Sequence, residues 1–244
     1  MMRLDANWPA PIAVKAFTTY RTGGYSPANY TSLNLALHVN DDANNVKLNR
    51  QSLTTALDLP SDPVWLDQVH GTQLVELSVA EQSINLQADG AVTQQKDKVC
   101  AVLTADCLPV LLCNKQGTQV AAVHAGWRGL LGGVIENAVA MFEKPDDVLA
   151  WLGPAIGPAH FEVGREVKDA FTDKKPVMQQ AFRYVDKTHC LADLYALARM
   201  TLLDCGVKKM YGGEHCTYNE SDKFYSYRRE PITGRMASLI WLQP

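Results

Sequence analysis

The sequence contains no apolar run near the roughly 18 residues that a membrane span requires. Its start, Met1-Met2-Arg3-Leu4-Asp5-Ala6-Asn7-Trp8-Pro9, lacks the apolar stretch of a secretory leader. A cytoplasmic location with no membrane partner is therefore expected. There is no C-x-x-C pair: Cys100, Cys107, Cys113, Cys190, Cys205 and Cys216 are scattered, mostly in apolar segments. Length excludes a small disulfide scaffold, and reduced core thiols are expected for most of these positions. An excess of one charge is also missing. Lys plus Arg is 23 and Asp plus Glu is 26, a formal net charge of −3. That argues against a nucleic-acid partner, which needs a basic surface, but leaves room for a local basic pocket that takes a small anion. Low-complexity tracts, fixed-period repeats and Ser/Gly/Pro-rich linkers are absent too, so one domain spanning 1–244 is expected. What the chain does have is 244 residues, 47% of them hydrophobic, enough for a core without disulfide or metal staples.

Hydrophobic periodicity places strands at Ile12–Thr19, Pro63–His70, Gln73–Leu77, Val99–Thr104, Pro109–Cys113, Gln119–His124, Val148–Leu152 and Met236–Leu242. Helices are expected at Asn44–Leu57, Gly132–Phe142, Glu166–Phe171 and Leu191–Cys205, the last stopped by Gly206. Strands and helices do not alternate strictly. That favours an α+β fold with mixed, largely antiparallel sheets flanked by helices over a doubly wound parallel sheet. Arg50 falls on the apolar stripe of its helix with Val46, Leu53 and Leu57, where a charge must snorkel, pair with a core carboxylate or serve a site.

Three polar positions end apolar runs: His70, the pair Asp106-Cys107, and His124. Strand ends on one sheet edge converge, and side chains there are rigid yet open to a surface. Two imidazoles and a thiolate form a sensible zinc set, with a fourth position left for water or substrate. The intervals of 37 and 17 residues match no short zinc signature, and each residue alone also reads as a satisfied core histidine or buried thiol.

Gly126, Gly129 and Gly132 follow His124 and can leave backbone amides free to receive an anion as a helix begins, or can serve close backbone packing. Gly153-Pro154-Ala155-Ile156-Gly157-Pro158 reads as a rigid loop. Tyr225-Ser226-Tyr227-Arg228-Arg229 alternates aromatic and basic residues, suited to phosphate or base contacts or to a solvated edge strand.

In order along the chain stand Ser32-Leu33-Asn34-Leu35, Gln68-Val69-His70-Gly71, Thr104-Ala105-Asp106-Cys107, His124-Ala125-Gly126-Trp127-Arg128-Gly129, the Gly153–Pro158 segment and Ser226-Tyr227-Arg228-Arg229. This set resembles the laccase-domain family, whose bacterial members are also called polyphenol oxidases, purine nucleoside phosphorylases or peptidoglycan editing factors. The resemblance covers nearly the whole chain. It implies an α+β fold shared with cysteine-hydrolase-like toxins, and zinc held by His70, Cys107 and His124. It also implies phosphorolysis of adenosine, inosine and methylthioadenosine, adenosine deamination, phenol oxidation with copper, and editing of cell-wall precursors.

The chemistry sorts these activities. The six histidines are fewer than a multicopper laccase needs, so oxidation is expected only as a side activity of a form loaded with copper in vitro. Deamination needs a nucleophilic water at C6 of adenine, which a zinc site can activate, and Asp106 is either the proton shuttle or a group that orients a ligand. For phosphorolysis, Arg50, Arg128, Arg228 and Arg229 are the phosphate and transition-state contacts to consider, and Asn34 the partner for base or ribose. Cys107, Asp106 and Arg228 are thus the expected catalytic residues, with Asn34, Arg50, Arg128 and Arg229 in substrate binding. The rival enzyme is an amide hydrolase with Cys107 as nucleophile and His124 or His70 as base. A non-enzymatic zinc module would need a fourth protein ligand, from among Cys113, His160, His189 and Cys216.

Overall fold

The computed structural model describes residues 3–78 and 86–243. The chain starts with strands β1 (Arg3–Asp5) and β2 (Val14–Thr19), then helix α1 (Ala43–Ala56) and strand β3 (Leu74–Glu76). Next come β4 (Gly90–Thr93), β5 (Cys100–Thr104), β6 (Leu108–Asn114) and β7 (Val120–Ala125), followed by helices α2 (Trp127–Gly132) and α3 (Val134–Ala140). The last third holds β8 (Val148–Leu152), β9 (Glu162–Gly164), α4 (Arg165–Lys174), β10 (Phe182–Tyr184), β11 (His189–Ala192), α5 (Leu194–Asp204), β12 (Lys209–Gly212) and β13 (Met236–Leu242).

Alternation along the buried strands explains the layering, because successive side chains leave a strand on opposite faces. On β6, Val110 and Leu112 pack with Val123 of β7 against Leu130, Ile135, Leu197 and Leu202 of α2, α3 and α5. Leu111 and Cys113 face the other way, onto Cys100 and Val102 of β5 and Ile240 and Leu242 of β13. Those strands in turn direct Ala101, Leu103, Leu239 and Trp241 onto Leu53 of α1 and onto Leu33 and Leu35. The result is two stacked sheets between helices. One sheet has the order β12-β8-β6-β7-β4-β3 and the other β1-β2-β13-β5, while β10-β11-β9 form a third, smaller sheet. Only β3–β4 and β8–β12 are parallel among the named pairs. This is the α+β, largely antiparallel arrangement expected from the sequence.

Three elements depart from expectation. Pro63–His70 makes only isolated bridges, Val64 to Cys100 and Asp67 to Gln87. Its ladder is cut short because the Gln68 side chain, not backbone, takes both polar groups of Leu103, at 2.9 and 2.7 Å. The helix expected over 132–142 is α3, over Val134–Ala140; a separate helix, α2, precedes it and is capped by Gly133, whose φ of +106° lies in the left-handed region. Leu191 belongs to β11, and α5 starts later, where the Asp193 side chain accepts the Ala196 N–H. Gly206, with φ +90°, ends that helical stretch as expected.

Candidate metal centre and its cleft

His70, Cys107 and His124 come together, but not on one sheet edge. His124 lies near the end of β7 in the larger sheet, and Cys107 in the turn from β5 of the other sheet to β6. Pairing of Pro109 with His124 and of Leu108 with Ala125 brings that turn beside β7. His70 comes from the loop after the Gln68 clamp. The centre therefore sits where the two stacked sheets part.

One residue absent from the sequence reading organises the site. Asp89, fully buried just before β4, accepts backbone N–H groups from Val69, His70 and Gly71 at 3.3, 2.9 and 2.6 Å. Three consecutive donors converge because His70 adopts φ +59°, a conformation that non-glycine residues hold only where surroundings enforce it. The same carboxylate lies 2.8 Å from His124 Nδ1, and the Asp89 carbonyl accepts the His124 N–H at 2.7 Å. Burial pushes the Asp89 carboxyl up, but the His124 contact and the Gly71 and His70 amides together hold it below the usual carboxylate range. Asp89 is thus an acceptor, His124 Nδ1 is its donor, and His124 Nε2 is left to face the cluster.

The donor atoms of His70, Cys107 and His124 all lie within 4.8 Å of one another. Cys107 Sγ is 4.0 Å from His70 Nε2, and the two imidazole centroids are 4.8 Å apart. Burial raises the Cys107 thiol, but the neighbouring His124 and His70 more than offset it and bring it well below its ordinary value. Burial likewise opposes charge on His124, yet the Cys107 thiolate and Asp89 raise it. The cluster therefore favours a thiolate beside charged imidazole. Among the described residues this is the one group of three or more such side chains placed to hold a metal ion.

Gly126 floors the cluster. A Cβ there would meet Cys107 Sγ at 3.0 Å, His70 Cδ2 at 3.2 Å and His124 Cε1 at 3.7 Å. Gly129 has a Cβ position 2.8 Å from the Gly71 carbonyl oxygen, so a side chain would push away the His70 loop. These glycines serve close packing around the three side chains.

The centre opens into a cleft of about 420 Å³. His38, Phe161, Tyr227, Arg228 and Arg235 line it together with the three ligands, Asp106 and Gln68. Arg228 is where substrate could meet it. Its guanidinium donates to the carbonyls of His160 and Glu162 at 3.2 and 2.8 Å, which fixes it over Phe161. Asp106 also borders the cleft. Its oxygens accept from Thr217 Oγ1 at 2.6 Å and from the Arg228 N–H at 2.7 Å, so it ties the 228 loop to the β5–β6 turn. The carboxylate that contacts an imidazole of the cluster is Asp89, while Asp106 contacts Thr217 and the Arg228 N–H.

The other residues expected in substrate binding are engaged within the fold or lie outside the lining of the cleft. Asn34 is fully buried, with its amide spent on Ala36, Asp41 and the Arg235 N–H. Arg229 donates to the carbonyls of Thr217, Tyr218 and Phe224 and holds that loop together. Arg50 lies 4.2 Å over Trp65 and donates twice to the Leu35 carbonyl, which is how a charge tolerates the apolar stripe of α1. Arg128 lies on Trp127 and does not line the cleft. His38, Phe161 and Arg235 were missed. Each stands alone in its segment, and only the fold brings it to the cleft.

Fold and site define an α+β protein with a cleft built around a His-Cys-His cluster able to hold a metal ion. The chain belongs to the family described as multi-copper polyphenol oxidoreductase laccase, which matches it over residues 15–243. It is 52% identical over 237 residues to the purine nucleoside phosphorylase YfiH of Shigella flexneri, covering 96% of each chain. It is 46% identical over 246 residues to a Haemophilus influenzae purine nucleoside phosphorylase, covering 100% of both. A crystal structure of a Neisseria meningitidis protein superposes with a TM-score of 0.95 at 48% identity, covering 99% of each chain. YlmD from Geobacillus stearothermophilus gives 0.89 at 29% identity, covering 97% of this chain and 94% of that one.

Proposed function

We propose that the protein is a zinc-dependent purine nucleoside enzyme. It cleaves adenosine, inosine and methylthioadenosine with phosphate, and it deaminates adenosine to inosine. The observation that carries this reading is the His70–Cys107–His124 cluster at the base of a cleft that also offers Phe161, Tyr227 and Arg228. The names of the relatives agree with it. Zinc fits the donors: tetrahedral bonds of the usual length set ligand atoms about 3.3–3.6 Å apart, a small inward shift from the distances here. His70, Cys107 Sγ and His124 Nε2 would hold the ion. When bound, it supplies Lewis-acid polarisation and positive charge in a partly dry cleft.

The chain's own residues do the rest. Phe161 and Tyr227 offer apolar faces to a purine. Arg228, fixed by two carbonyls, presents charge to phosphate without reorganising during the reaction. In phosphorolysis a phosphate oxygen bonds to C1′ as the bond from C1′ to the purine nitrogen breaks. The electron pair leaves with the base, which gains a proton, and the sugar becomes ribose 1-phosphate or its methylthio analogue. Asp106, beside Cys107, is the carboxylate among the residues lining the cleft, and it serves proton movement in this reading.

A second reading has its own support. The Cys107 thiol is held low beside two histidines, which also suits a nucleophile attacking an amide of a cell-wall precursor. Copper in the same donor set would give oxidation as a side activity. Chromatographic analysis of adenosine incubated with zinc-loaded protein, with and without phosphate, separates the cases. Phosphate-dependent adenine is expected, with inosine from deamination. No product under either condition would reject the nucleoside reading and move the search to amide substrates.

A further inference from the structure

The cleft holds a cation that the phosphate reading of the sequence did not consider. Arg235 stands immediately before β13, and its guanidinium lines the cleft with His38 and Arg228. It has no ion-pair partner among the described residues. Nη1 is anchored by the carbonyls of Thr233 and Gly234, both at 3.0 Å, and the backbone N–H by Asn34 Oδ1 at 3.0 Å. The Tyr227 ring centroid lies 5.8 Å from its guanidinium carbon. Nε and Nη2 have no protein acceptor among the described residues, and neither is a buried orphan atom, so both keep contact with solvent on a side chain that lines the cleft.

A half-buried guanidinium without a carboxylate is costly unless something compensates it. Arg50 shows how this chain otherwise manages such a group: it stacks on Trp65 while donating with both Nε and Nη2. Arg235 instead spends one nitrogen on fixing its position and leaves the fork of Nε and Nη2 toward the cavity. That fork matches two oxygens of a tetrahedral oxyanion. Burial and the nearby Arg235 and Arg50 charges press His38 toward its neutral form, in which one ring nitrogen can still donate to the same anion.

We propose that Arg235, with Arg228 and His38, forms the oxyanion subsite of this cleft and binds inorganic phosphate through its Nε–Nη2 edge. The proposal deepens the phosphorolysis reading and rests on it for the source of the anion. The same fork would take the phosphate of a nucleoside monophosphate, so the test separates the two sources. Zinc-loaded full-length protein, Arg235→Gln and Arg235→Lys are titrated calorimetrically with inorganic phosphate and, separately, with adenosine monophosphate. Phosphate half-saturation is measured in adenosine cleavage, alongside the adenosine KM, zinc content and circular dichroism.

Arg235→Gln is expected to weaken phosphate binding and raise phosphate half-saturation by roughly tenfold or more, the loss of a charge-assisted pair of hydrogen bonds. The adenosine KM and zinc content stay within twofold of the parent. Arg235→Lys, which keeps the charge but not the fork, falls between, and it serves as the test if the Gln variant does not fold. Anion binding that depends on Arg235 without phosphorolysis keeps the subsite and rejects the nucleoside phosphorylase reading; binding of the monophosphate alone overturns inorganic phosphate as its ligand. Phosphorolysis with unchanged phosphate half-saturation in both variants keeps the function and overturns the subsite. A parent protein that binds neither anion overturns it as well.

Discussion

Asp89 Oδ1 accepts the Nδ1–H of His124 at 2.8 Å, and the same oxygen accepts the His70 N–H at 2.9 Å. A single buried carboxylate therefore positions two of the three side chains of the candidate metal centre, one by its ring and one by its backbone. The two stand 54 residues apart along the chain but are coupled through 1 side chain.

Asp89→Asn keeps the size and removes the charge. An amide cannot accept from the His124 ring and the three loop amides as the carboxylate does, so both the tautomer of His124 and the left-handed turn at His70 lose support. Zinc affinity should fall by about 10–100-fold, the usual cost of losing such a partner. Chelator competition measures it, and nitrogen NMR of the imidazole reads the tautomer independently of activity. Unchanged affinity with an unchanged tautomer would remove Asp89 from this role.

Gly126→Ala tests the floor of the cluster. The backbone there has φ −64° and ψ 160°, which alanine adopts without strain, so the fold should survive. The added methyl meets Cys107 Sγ at 3.0 Å and His70 Cδ2 at 3.2 Å, tight enough that these side chains must give way slightly. The expected result is native circular dichroism with zinc affinity weakened roughly tenfold, since a ligand shift of a few tenths of an ångström spoils tetrahedral geometry. Parent-like affinity would mean that the loop carrying His70 yields freely.

How far the sequence carried can be read from these residues. His70, Cys107 and His124 were legible because each is a polar side chain that ends an apolar run, and such positions need a reason. Asp89 has the same signature in Ala88-Asp89-Gly90-Ala91-Val92, but the strand that follows has four residues and offers little periodicity. Arg235 was invisible because its signal is a missing partner, which only three dimensions reveal. Asn34 and Arg229 show the converse: a polar side chain that holds backbone carbonyls looks, in one dimension, like one waiting for a ligand. The layers themselves were legible in the apolar runs of β5 to β8 and β13. The short strands β9 to β12 were not, because their pairing depends on neighbours distant in sequence.

Arg228→Ala separates anion binding from wall building. The side chain donates to the His160 and Glu162 carbonyls at 3.2 and 2.8 Å, while its backbone N–H to Asp106 is untouched by the substitution. If Arg228 meets phosphate, phosphate half-saturation should rise by roughly tenfold or more while zinc content holds. If it only supports the Phe161 wall, the adenosine KM should rise instead and phosphate dependence stay as it was. Steady-state kinetics with each substrate varied in turn distinguishes these outcomes.

Removing the metal decides between the two enzyme readings, and pH gives the sign of an internal check. Cys107 and His124 share one electrostatic problem: burial opposes charge on both, each stabilises the other's charge, and Asp89 adds to His124. Without metal, the thiol is low and the imidazole high, so near neutral pH the pair holds its proton on His124. A metal taking His124 Nε2 must expel that proton. Metal affinity should therefore fall as pH falls below the raised His124 value, by about tenfold per pH unit for one proton, and level off above it. Competition titrations across pH measure that slope, and a flat profile would exclude His124 as a ligand. Activity carries the second half. With zinc as the working centre, chelation should abolish nucleoside cleavage, zinc should restore it, and Cys107→Ala should lose both metal and turnover. With Cys107 as a free nucleophile, chelation should instead raise amide hydrolysis, because the thiolate is released from the metal, and alkylation of the metal-free thiol should end it.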